Sequence, residues 1–234
     1  MLRKISIKIH LAAFFFFSIF NLIASDTDEI SGSGDIFEKL GAVIDGHDIF
    51  QDSENKTVTL TELSHNKDVI VFSLNYFQCK DICSFQFKDM KEKIATLDSE
   101  LLAKVLFLSI SFDSRDKFKE AKAKEEIFNK EKKLPWKFLV GPESSIQKLS
   151  KSVNFFYKYE KEQDVFAHGA GLFFLSSPGL KFKRYLYGII NKPEDIRKAI
   201  YDTSSSSIGP IFDRMKLFIQ KTFQAEYGRY KNRF

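Results

Sequence analysis

The chain has 234 residues, of which 44% are hydrophobic and 29% charged, with a formal net charge of +5. That length buries a real core, and that balance excludes wholesale disorder. Without Arg3, Lys4 and Lys8, which precede the first acid, the net charge falls to +2, so nothing favours a nucleic acid partner.

In chain order, a basic stretch (MLRKISIKIH) leads into LAAFFFFSIFNLIA, an apolar run of 14 residues that exits through Ala24 and Ser25 into acidic DTDE. This is the pattern of a secretory signal peptide over 1–25, with a retained membrane anchor as the alternative; a full span needs about 20 apolar residues. Residues 26–36 read as a polar linker. A main domain over 37–203 follows, then SSSS at 204–207 opens a basic extension over 204–234.

Within the domain, residues 37–65 read as short strands and turns. DVIVFSL is a continuous apolar run, the signature of a strand buried on both faces. FQFKDMKEKIATLDSELL reads as one helix, with Phe87, Met90, Ile94 and Leu97 at spacings of three and four. KVLFLSISF is a second buried strand, and FKEAKAKEEIFNKEKK a charged helix that Pro135 cannot continue. KFLV is a short strand, GPESSIQKLSKSV a helix, and NFFYKYE extended. AGLFFLSSPGLKFKRYLYG is a hairpin about Ser-Pro-Gly, and KPEDIRKAIYD a last helix. Strands alternating with helices, then a hairpin, point to an α/β sandwich with a mixed sheet.

Cys79 and Cys83 are the only cysteines. They fall directly after the first buried strand, where α/β sheets gather their sites and where a helix N-terminus stabilises thiolate. If residues 80–83 are helical, or a tight loop entering the helix, positions i and i+4 share a face and both sulfurs point one way. Such a pair suits a soft-metal clamp, a redox couple or a structural staple, the last gaining little because the closed loop is so short. Of the four histidines, His10 lies in the leader, while His47 and His65 read as turn or surface residues. His168 stands before an apolar strand, beside Gly169.

YFQCKDIC, LSISFDSRD and AHGAGLFFLSSPG, in that order, resemble the cysteine loop, the aspartate loop and the histidine loop of the SCO/SenC family. FLVGPESSIQKLSKSVNFFYKYE and RYLYGIINKPEDIRKAI are similar to it in order and spacing. The resemblance implies a thioredoxin-like α/β fold, a mixed sheet flanked by helices. It also implies an exported copper metallochaperone for cytochrome c oxidase assembly in the bacterial periplasm, with its N-terminal segment at the inner membrane. One copper ion, Cu(I) or Cu(II), is then held by Cys79, Cys83 and His168, with Asp81 and Asp113 supporting the site. The implied partners are the copper-site subunit of a terminal oxidase and a thiol reductant. The alternative it implies is a thiol–disulfide oxidoreductase using Cys79 and Cys83. Two positions depart from the family: Lys80 replaces the proline common after the first cysteine, and the tail stretch LFIQKTFQ lacks the cysteine and histidine of extended members.

Overall fold

The computed structural model describes Ile36, residues 38–79 and residues 82–204. The expectations for the leader, for residues 26–35, for Lys80 and Asp81 and for residues 205–234 therefore lie outside the described residues. The described residues fall into two units, Phe156–His168 and the remainder.

In the larger unit the two apolar runs become β3 (Val69–Asn75) and β4 (Val105–Ser111), buried at every position and paired in parallel. β5 (Trp136–Val140) adds to β4 in parallel. β1 (Ile49–Asp52) and β2 (Thr57–Thr59) continue that edge antiparallel. On the other side of β3, the hairpin of β8 (Gly171–Ser176) and β9 (Lys181–Tyr187) pairs antiparallel. The result is one mixed sheet of seven strands, in the order β2-β1-β5-β4-β3-β8-β9. The smaller unit is a hairpin of β6 (Tyr157–Glu160) and β7 (Val165–His168). β7 was not anticipated from sequence.

Helices follow the sequence pattern with three differences. The segment after the cysteines is not one helix but two, α2 (Ile82–Ile94) and α3 (Ser99–Lys104). Asp98 accounts for the break: its carboxylate accepts the Leu101 N–H at 2.9 Å and starts a new helix. The region 37–65 also holds a four-residue helix, α1 (Leu60–Leu63), started by a reciprocal cap between Thr59 and Glu62. The charged helix α4 (Phe118–Phe128) stops at Asn129, whose side chain binds the carbonyls of Leu134 and Trp136. α5 (Glu143–Ser152) and α6 (Pro193–Ser204) lie where the pattern placed them.

Aromatic side chains fill both faces of the sheet. Phe87 of α2 sits among Phe77, Phe128, Trp136 and Phe138, with ring centroids 5.3–6.2 Å away. Phe72, Phe173, Phe182 and Tyr185 form a second cluster across β3, β8 and β9. Phe87 is fully buried, whereas its helix neighbour Phe85 is 66% exposed. Phe87→Ala is expected to lose about 3–5 kcal/mol and Phe85→Ala to stay within about 0.5 kcal/mol. Urea unfolding of both variants checks this, and similar losses would mean that α2 is seated differently.

Candidate metal centre

Cys79 ends the loop that leaves β3, and Cys83 lies in the first turn of α2. Two buried aromatic residues, Tyr76 and Phe77, anchor that loop, and the Cys79 N–H closes a turn onto the Tyr76 carbonyl at 3.2 Å. Both cysteines are buried and unbridged, at 7% and 1% exposure. The two thiols are hydrogen-bonded to each other, and this contact first, then burial, then repulsion from a Cys79 thiolate, push the Cys83 pKa far up. A backbone hydrogen bond from Tyr76 and the charge of Lys124 act the other way. The pair therefore holds its second proton tightly and gives it up to something that replaces it, such as a thiophilic metal ion. No acid occupies the first turn of α2.

His168 is the last residue of β7, half-buried and paired across the hairpin with Tyr157. It belongs to the smaller unit, and the thiols to the larger one. Among the described residues, neither unit gathers three His, Cys, Asp or Glu side chains in a cluster able to hold a metal ion. His47 and His65 are exposed in turns, as expected, and line a surface cavity of about 860 Å³ beside the Ser177–Pro178 turn.

Of the two aspartates in SFDSRD, Asp113 is buried and takes a forked ion pair from Arg115 at 2.8–3.0 Å. It does not cap α4, whose N-cap is Lys117. The carboxylate that reaches the cysteine loop is Asp116, which sequence reasoning passed over. Its Oδ2 accepts the Phe77 N–H at 2.7 Å and the Ser111 hydroxyl at 2.6 Å, and the residue is 1% exposed. Asp116 thus ties the end of β4 to the backbone two residues before Cys79.

Burial lifts the Asp116 pKa above the usual 3.8, against the hydrogen bonds from Ser111, Phe77 and Gln78, while the charge of Asp113 adds to the rise. A carboxyl raised in the folded state favours folding while protonated, and that contribution is lost as pH climbs through the folded pKa. Asp116→Asn is neutral at every pH. Relative to it, the parent chain is expected to lose stability as pH rises from about 4 toward about 7. Urea unfolding across that range checks the sign, and a constant difference would contradict it.

The SCO1/SenC family profile matches residues 42–204. No curated protein sequence matches the chain. Among solved structures, ScoI of Arabidopsis thaliana with copper bound is 18% identical, with a TM-score of 0.56 over 70% of this chain and 97% of that one. A SCO1/SenC family lipoprotein from Bacillus anthracis is 22% identical, with a TM-score of 0.61 over 73% and 100%. BsSco, described by a disulfide switch and as a member of the Sco family of cytochrome c oxidase assembly proteins, is 24% identical, with a TM-score of 0.58 over 73% and 99%. These likenesses carry the fold, a thioredoxin-like α/β sandwich with helices flanking a mixed sheet. With its profile matched over most of its length, from the strands before the thiols to the last described helix, the chain belongs to the SCO1/SenC family.

Proposed function

We propose that this chain is a copper metallochaperone. Cys79 and Cys83, as thiolates, and His168, as a neutral imidazole, hold one copper ion and release it to the copper-site subunit of a terminal oxidase. The observation that carries this reading is the contact between two buried, unbridged thiols at the start of a helix. It is supported by the copper found in the similar Arabidopsis protein and by the oxidase-assembly role given for BsSco. Two thiolates with one imidazole form a soft donor set, which favours Cu(I) and suits magnesium or calcium poorly.

Loading is a proton exchange. Each cysteine gives up its thiol proton as its sulfur takes the metal, so binding strengthens as pH rises. A Cys79–Cys83 disulfide offers no thiolate, and a thiol reductant has to supply two electrons and two protons to open it first. This chemistry belongs outside the cytosol, in the bacterial periplasm, with the basic and apolar leader carrying the chain to the inner membrane or holding it there. Among the described residues no helix is long and apolar enough to cross a membrane.

A second reading rests on the same contact: thiols within hydrogen-bonding reach of each other are placed to exchange a disulfide with the cysteines of an oxidase subunit. The disulfide switch of BsSco favours keeping it.

Copper(I) titration of the reduced full chain against a competing chelator tests the first reading. Cys79→Ser and Cys83→Ser are expected to weaken binding by more than about hundredfold, since loss of a residue merely supporting a ligand already costs about 10–100-fold. His168→Ala is expected to weaken it by a smaller factor. Equal affinity in all four proteins would remove the metal assignment, and turnover of a protein disulfide without copper would promote the second reading.

A further inference from the structure

A chain of buried hydrogen bonds crosses the sheet and ends in an unused donor. Trp136 Nε1 donates to Ser109 Oγ at 3.0 Å, and the Ser109 and Ser73 hydroxyls lie 3.2 Å apart. Ser73 Oγ donates to Asn75 Oδ1 at 2.7 Å, and Asn75 Nδ2 donates to Gln86 Oε1 at 2.7 Å. An indole N–H can only donate, so Ser109 accepts it and turns its own proton toward Ser73. Ser73 in turn gives its proton to the Asn75 carbonyl; Met90 Sδ, at 3.7 Å, is the weaker acceptor. The direction is therefore set from β5, through β4 and β3, to α2. Turning the Asn75 amide over would leave only Met90 Sδ, the weaker acceptor, to take the Ser73 proton while Ser73 still accepts from Ser109.

The last group is Gln86 Nε2. Its oxygen is committed to Asn75, so the amide presents N–H, and that N–H is buried with no hydrogen-bond partner among the described residues. Gln86 itself is 2% exposed. An orphaned buried donor costs roughly 1–3 kcal/mol, so its presence beside the thiol site calls for an explanation. Cys83 lies three residues earlier, on the same face of α2. Helical side chains lean toward the N-terminus, which carries the Gln86 amide over the turn that holds Cys83.

We propose that Gln86 is a supporting residue of the thiol site. Its Nε2–H donates to the Cys83 sulfur once that sulfur binds a metal ion. In the metal-free site that N–H makes no hydrogen bond, to the Cys83 sulfur or to any other described atom, so it is spare for a bound site. The inference rests on the thiol pair being the working site and holds for any thiophilic ion there, copper or not.

The test uses the reduced full chain, with Cu(I) and separately Cd(II) as the thiolate probe. Gln86→Met keeps the volume and removes the donor, together with the oxygen that Asn75 Nδ2 binds, which the urea midpoint reports. It is expected to lower the affinity for both ions about tenfold, the scale of a hydrogen bond to a charged group. In the parent chain the Gln86 side-chain amide proton resonances are expected to move downfield on loading, and to stay in place in Cys83→Ser. Unchanged affinities for both ions, or a lowered urea midpoint with unchanged affinities, would overturn the proposal and leave Gln86 a structural residue. Should Gln86→Met fail to fold, the amide resonances decide, and no movement on loading overturns it. Weaker Cd(II) binding by Gln86→Met, with no Cu(I) binding by the parent, would sustain Gln86 and sink the copper reading.

Discussion

Polar side chains buried at the carboxyl ends of β3 and β4 constrain everything around the thiols. The parallel register sets Ser73 beside Ser109 and Asn75 beside Ser111, and none of the four is exposed. Each costs free energy in the core unless it is hydrogen-bonded. Ser111 meets this need through Asp116, which also receives the Phe77 N–H. Ser73 and Asn75 meet it through Gln86. One requirement therefore fixes two things: the loop that carries Cys79 is tied down at its start, and the helix that carries Cys83 is tied down in its first turns. The thiols meet because the polar seam beneath them leaves both backbones little freedom.

This layout explains what could be read beforehand and what could not. The runs 69–74 and 105–110, apolar but for one serine each, announced two buried strands, since only a sheet covered on both faces tolerates them. The i, i+4 cysteine spacing at a strand-to-helix junction announced convergent sulfurs, and the thiol contact agrees. Periodicity ran straight through Asp98, because apolar spacing does not register a cap; the aspartate three residues before Leu101 was the available signal. Short β7 escaped notice because four residues, VFAH, are too few to display an alternation, and its reversal depends on Asp164 at a positive φ of 50°.

The supporting carboxylate shows a harder limit. SFDSRD offers two aspartates three positions apart, and nothing local says which turns inward. Arg115 decides it by claiming Asp113 in a fork, and Asp116 is left facing the cysteine loop. That outcome depends on β4 lying beside β3, a pairing between segments far apart in sequence. Gln86 was closer to legible. It stands three residues after Cys83 and four before Met90, within the buried stripe, so an amide there had to find partners inside the core.

The division of the cysteines between a loop and a helix also bears on which chemistry the pair can perform. A crosslink between residues four apart removes little entropy from the unfolded chain, so a bridge here would stabilise the fold only slightly. Forming or opening it therefore changes the stability of the fold little, which suits a reversible site and not a structural staple. The same closeness that makes a bridge feasible makes a second thiolate unfavourable, because the first charge repels it and burial gives it no water. A metal ion resolves both difficulties at once by supplying positive charge where the two sulfurs converge. Clamp and redox couple are thus two responses to one strain, and the groups that bear on that charge, Lys124, the Tyr76 backbone and the spare N–H of Gln86, decide which response is favoured.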